Sequence, residues 1–249
     1  NVTSSSGIDL TVDDTVSATF GDYDNDGDLD LFLSHWGASR RADTETLWRN
    51  NGDGSFSSAS IESGIAGQLI EPVDSTGQEM DRSFTPNLSD IDVDGDQDII
   101  SASLNDNTVA WYENGLAAFG DPSFSSANIT TSFDAAAQIL TVDIDNDGDL
   151  DVLGAAYADD EIAWFENDGA SDPSFTSRTI AMGTSSVNGA WSVYAADMDS
   201  DGDIDVLSAS VLDNKIAWYE SDGAADPSFT ARTITTSADG AYSVYAADI

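Results

Sequence analysis

Residues 22–30 read Asp22-Tyr-Asp-Asn-Asp-Gly-Asp-Leu-Asp30, nine residues with Asp at every odd position and Gly at the sixth. The pattern recurs at Asp90–Asp98, Asp143–Asp151 and Asp197–Asp205. The four sets are Asp22, Asp24, Asp26, Asp28 and Asp30; Asp90, Asp92, Asp94, Asp96 and Asp98; Asp143, Asp145, Asp147, Asp149 and Asp151; and Asp197, Asp199, Asp201, Asp203 and Asp205. Their glycines are Gly27, Gly95, Gly148 and Gly202. The starts lie 68, 53 and 54 residues apart, and a fifth copy opens at Asp248, 51 residues further on. A period of this length marks an array of supersecondary units, each burying its faces against its neighbours.

The rest of the unit repeats too. After the Asp loop come Val-Leu-Ser-Ala-Ser at 206–210, Ile-Ile-Ser-Ala-Ser at 99–103 and Val-Leu-Gly-Ala-Ala at 152–156. Then follow Ile216-Ala-Trp-Tyr-Glu, Val109-Ala-Trp-Tyr-Glu and Ile162-Ala-Trp-Phe-Glu, an Asp-Pro-Ser-Phe turn, and a run such as Thr-Ala-Arg-Thr-Ile at 230–234. Short β-branched and aromatic runs between Gly, Asn-Asp and Asp-Pro turns read as strands. Four strands per unit, A to D, with the Asp loop joining A to B, describe the blade of a β-propeller. The Trp of strand C lies 13 residues beyond the last loop Asp in three blades (Trp111, Trp164, Trp218), and its recurrence fits packing between blades. Arg178 and Arg232 hold equivalent places and read as structural.

The composition narrows the function. Among 249 residues there are 47 acidic and 7 basic side chains, a formal charge of −40. That balance argues against nucleic acid or an anionic membrane surface as partners, since both need a basic footprint, and points to bound cations. Cysteine is absent, and a single His (His35) leaves no basis for a His-rich zinc site or a Ser-His-Asp triad. No apolar run is long enough to insert into a membrane.

Alternating carboxylates on a tight loop converge on one point, and hard oxygen ligands in that number suit Ca²⁺. Positions 1, 3, 5 and 9 are expected to ligate through side chains and position 7 through its carbonyl, giving about four ions. An EF-hand would place a bidentate Glu at position 12. Here that position holds Leu33, Ser101, Gly154 and Ser208, and strand-like sequence follows.

The Asp loops, the Val-Leu-Ser-Ala-Ser strand and the Ile-Ala-Trp-Tyr-Glu strand together resemble FG-GAP/VCBS repeats, which share a blade and calcium loop with the integrin α propeller. Gly21–Leu31 and Leu47-Trp-Arg-Asn-Asn-Gly-Asp-Gly-Ser-Phe resemble the repeat of ASPIC/UnbV-type proteins. The resemblance implies a calcium-stabilised extracellular propeller used for adhesion or recognition, without fixing one ligand.

The expected organisation is one propeller domain over 1–249: a D strand of a closing blade in 1–14, blade 1 in 15–61, an insertion in 62–83, blade 2 in 84–130, blade 3 in 131–180, blade 4 in 181–234 and an A strand in 235–249. On this reading the chain is a fragment of a longer protein, and its open blade edges offer a route to self-association. Blade 1 carries the longest loops on the face opposite the Asp loops. Asp30 to Trp48 is 18 residues rather than 13, and the connection holds Arg40 and Arg41 beside His35 and Trp36. With Arg82 these form a candidate anion or partner site: Trp36, Arg40, Arg41 and Arg82. The sequons at Asn1, Asn87 and Asn128 permit glycosylation. The sequence thus reads as an extracellular or cell-surface calcium-binding module, secreted with its leader not in this chain, that recognises a protein or glycan. A subunit of a surface fibre or layer is the alternative, and no catalytic residues are assigned.

Overall fold

The computed structural model describes residues 6–8, 15–35, 46–60, 83–104, 107–115 and 123–247. Its elements are strands, arranged as four four-stranded antiparallel sheets of the kind that make propeller blades. The first sheet is β1 (Thr15–Gly21), β2 (Asp30–His35), β3 (Thr46–Asn50) and β4 (Phe56–Ser58). The second is β5 (Ser83–Ser89), β6 (Asp98–Ser103), β7 (Val109–Asn114) and β8 (Phe124–Thr130). The third is β9 (Ala136–Val142), β10 (Asp151–Ala156), β11 (Glu161–Asn167) and β12 (Phe175–Met182). The fourth is β13 (Ala190–Ala196), β14 (Asp205–Ser210), β15 (Lys215–Ser221) and β16 (Phe229–Thr235). Each sheet is a meander in chain order, as expected for strands A to D.

Strand B shows why alternation is missing from its sequence. Every residue of β6, β10 and β14 is buried, because the second strand of a blade is covered on both faces. Strand D lies at one edge of its sheet, and β16 exposes nearly its whole length.

The chain divides into two compact units, Asn1–Asp90 with Asp94–Thr131, and Ile91–Val93 with Ser132–Ile249. In the first, Tyr23, Phe32, Leu47, Ile99, Ala110 and Tyr112 share one core, and a satellite cluster joins Leu31, Leu33 and Trp48 to Ile8 and Phe56. In the second, Trp164, Leu153, Val187, Val193, Val206 and Tyr219 pack together. Trp111 and Trp164 are buried, as expected of a packing row. Trp218 is half-buried, with the Arg232 guanidinium 5.3 Å from its ring centroid.

Register corrects one sequence alignment. Trp48 pairs with Leu31, the place that Tyr112 takes against Ile99 and Phe165 against Val152. Leu47, not Trp48, therefore stands where the other blades have their Trp. The B–C connection of blade 1 is one residue shorter than the Trp-to-Trp spacing implies. Residues 241–247 run beside β13 without a strand ladder: Val244 N–H donates to Ser192 Oγ, Tyr242 packs edge-on against Trp191 and Tyr245 against Tyr194.

Candidate metal centres

Each Asp motif is the hairpin joining strands A and B, closed by the pairs Gly21↔Asp30, Ser89↔Asp98, Val142↔Asp151 and Ala196↔Asp205. Position 9 is therefore the first residue of strand B, and positions 1–8 form the loop. The loop turns on backbone that enters the left-handed region twice. Position 6 holds glycine at φ +93° to +103°, with open space where a Cβ would sit, so backbone conformation alone demands glycine there. Position 4 does the same with Asn25, Val93, Asn146 and Ser200, and only the Asn pair is well suited to it.

Hydrogen bonds repeat from loop to loop. The position 1 carboxylate accepts from the N–H groups of positions 5 and 6: Asp26 and Gly27 donate to Asp22 at 3.0 and 2.9 Å. Asp90, Asp143 and Asp197 are held in the same way. Position 5 accepts from the N–H of position 7. Position 9 is buried in all four loops, and its carboxylate accepts from the last N–H of strand C: Asn50, Asn114, Asn167 and Ser221 donate at 2.7–2.9 Å.

These contacts fix carboxylates around one point. Oxygens of Asp22, Asp24 and Asp30 lie within 4.8 Å of one another, as do those of Asp143, Asp145 and Asp151, of Asp197, Asp199 and Asp205, and of Asp90, Asp92 and Asp94. Positions 1, 3 and 9 converge in loops 1, 3 and 4, and positions 1, 3 and 5 in loop 2. Position 7 turns elsewhere: carboxylate oxygens of Asp28, Asp149 and Asp203 pack onto Gly52, Gly169 and Gly223 of the C–D turn. Asp96 accepts from Asn25 Nδ2 at 2.7 Å. The position 7 side chains thus stand away from the triads, in keeping with a carbonyl ligand there.

The triads fit a hard divalent cation. All donors are oxygen, and Asp24 Oδ1 is buried with no hydrogen-bond partner. Burial, reinforced by neighbouring carboxylates, pushes Asp30 and Asp151 up to about 7. The same causes raise Asp24, Asp145 and Asp199. Carboxylates that resist ionising together are what a cation would relieve.

The geometry also brings in residues that spacing did not reveal. Asn114 Nδ2 donates to the Gln97 carbonyl of its own loop at 3.0 Å and to the Tyr23 carbonyl of the preceding loop at 2.7 Å. Asn167 repeats this with Leu150 and Ile91. Asn50 bonds Leu29 of its own loop, and blade 4 has Ser221 at this place. Arg49, from strand C, lies against Asp24. Arg178 pairs with Glu166 and Asp226, Arg232 with Glu220, and Lys215 with Asp213. Trp36, Arg40, Arg41 and Arg82 lie outside the described residues, as does Asp248. Among the described residues, no helix is long and apolar enough to cross a membrane.

A comparison with protein families matches residues 90–154, 143–208 and 197–249 to the family described as FG-GAP-like repeat. No curated protein matches the chain.

Proposed function

This chain belongs to the FG-GAP-like repeat family, and on that premise we propose that it is an extracellular calcium-binding recognition module that holds a protein or glycan ligand. One observation carries the reading: four loops, each at the same A–B hairpin, gather three carboxylates within 4.8 Å. Ca²⁺ at each would supply the charge that the clustered carboxylates need. In three loops the ion would bridge positions 1 and 3, in the loop, to position 9, at the start of strand B. Loop and strand would then be clamped together, so that ion binding adds to folding free energy. Four ions would offset +8 of the −40 charge. Millimolar extracellular calcium fills sites that cytosolic calcium leaves empty, which supports an outside location.

The proposed role is binding rather than catalysis, and a charge balance this acidic supports partners other than nucleic acid and membrane. Arg40, Arg41, Arg82 and Trp36 are proposed as ligand contacts, since they concentrate nearly half of the chain's seven basic residues in the loops of one blade. The test is a thermal melt with calcium and with EDTA, run beside light scattering. A monomer whose Tm rises with calcium, and whose calcium-dependent capture on glycan and protein arrays weakens in Arg40→Ala with Arg41→Ala, is the expected result. A melt indifferent to EDTA overturns the calcium reading. Calcium-driven polymers would replace recognition with assembly.

A further inference from the structure

The four centres are not electrostatically equivalent. Register places Arg49 where the other blades have Glu113, Glu166 and Glu220: Asn50, Asn114, Asn167 and Ser221 each pair with the first Phe of strand D, and these residues precede them. Glu166 and Glu220 are answered from strand D by Arg178 and Arg232. The matching place in blade 1 is Ala59, and the arginine comes from strand C instead. Arg49 Nε lies 2.8 Å from Asp24 Oδ2 and donates to Tyr23 Oη at 3.2 Å. Asp24 is a member of the blade 1 triad, so a fixed positive charge already rests on one of its three carboxylates. The pair is well enclosed, with side-chain exposures of 28% for Arg49 and 11% for Asp24, so solvent screens it less than a surface pair.

Resting on the calcium reading above, we infer that Arg49 is an internal counter-ion that makes the blade 1 centre the weak calcium site of the four. A divalent ion at Asp22, Asp24 and Asp30 must displace the guanidinium from Asp24 or bind beside it. In blades 3 and 4 the carboxylates of Glu166 and Glu220 stand beside Asp145 and Asp199 and take the pairs with Arg178 and Arg232, so the guanidinium is paired there with a glutamate rather than with a triad carboxylate. Calcium affinity in oxygen-ligand loops follows the charge of the ligand set, so exchanging Glu for Arg beside one ligand lowers it. Blade 1 then keeps its loop in place without metal, through Arg49, while the other three loops depend on the ion.

The experiment counts bound calcium by chelator competition and equilibrium dialysis on the full chain. The parent is expected to bind three ions tightly and a fourth at least about 10-fold more weakly. Arg49→Glu should bring the tight count to four, and Arg49→Gln, which keeps a hydrogen-bonding side chain of similar reach, should narrow the gap. Adding Asp24→Asn to Arg49→Glu should return the count to three, which assigns the gained ion to blade 1. Asp145→Ala, in a different centre, should lose one tight ion from the parent. Four equivalent sites in the parent, or a tight count of three in Arg49→Glu folded to the parent's circular dichroism, overturns the role of Arg49 alone. A parent that binds no calcium, or an Asp145→Ala count equal to the parent's, brings down the calcium reading and this inference with it.

Discussion

Asn114→Ala tests how neighbouring blades are joined. Asn114 is fully buried, and its Nδ2 bonds the Tyr23 carbonyl at 2.7 Å and the Gln97 carbonyl at 3.0 Å. Alanine keeps the backbone N–H that bonds Asp98, so the strand and the position 9 contact survive. Two lost hydrogen bonds at about 1 kcal/mol net each, with two carbonyls left inside the protein, bring the expected loss to about 2–4 kcal/mol. For a chain of this size each kcal/mol moves Tm by about 2–4 °C, so the melt should fall by about 4–16 °C. Urea unfolding followed by Trp fluorescence, with calcium fixed and again in EDTA, measures the loss directly. Ser221→Ala is the matched control. Ser221 fills the same place in blade 4, and its hydroxyl only accepts from Gly223 N–H at 3.3 Å, so its loss should stay under about 1 kcal/mol. An Asn114→Ala protein within about 0.5 kcal/mol of its parent, or a Ser221→Ala loss as large as that of Asn114→Ala, would refute the reasoning.

Gly169→Ala would put a methyl 2.1 Å from Asp149 Oδ2 on backbone at φ +66°, and should cost more than about 1 kcal/mol in urea unfolding. Gly183→Ala, at φ +89° with open space around it, should show the backbone part alone and lose less. For pH, the folded pKa of about 7 at Asp30 and Asp151 lies above the ordinary carboxylate value, so the metal-free fold holds protons that the unfolded chain has released. Metal-free stability should therefore fall as pH rises from about 4 to about 7, then level off. The exposed carboxylates Asp53, Asp168 and Asp222, lowered by their Ser partners, act below that window. An EDTA urea midpoint that climbs from pH 5 to pH 8 would contradict this. Calcium binding near neutral pH should release protons from Asp30 and Asp151, whose carboxyls burial holds well above the ordinary range, read as a buffer-dependent calorimetric enthalpy.

Much of the architecture was legible because the nine-residue motif fixes a phase for everything after it. Once Asp30, Asp98, Asp151 and Asp205 are equivalent, the strands downstream fall into line, and four-stranded blades with Asp hairpins between A and B follow. The acid triads were legible in outline for the same reason. What the pattern hid depends on register. The shift that puts Leu47 in the place of Trp111 also puts Arg49 in the place of Glu113, and a tryptophan in nearly the right position disguises both. The second bond of Asn114 and Asn167 was hidden for a different cause: its acceptor is the main chain of another blade, which leaves no mark on side-chain identity. Position 7 carries the same Asp as its neighbours, and only the contacts of its carboxylate, with Gly52, Gly169 and Gly223 in three loops and with Asn25 in loop 2, separate it from the triad.

The joint made by Asn114 and Asn167 bears on how such a chain can grow by duplication. The donor travels with each repeat, while the acceptor is a peptide carbonyl that any residue supplies, as Tyr23 and Ile91 do. A copied segment of some 50 residues therefore arrives with its half of the joint, and the segment before it needs no matching change. The bond sets no demand on the side chain at the acceptor position, which answers only to its packing: Tyr23, Ile91 and Ile144 are buried there, and blade 4 has Met198. Blade 4 carries Ser221 at the donor's place, so the joint is not a condition for a blade of this kind to form.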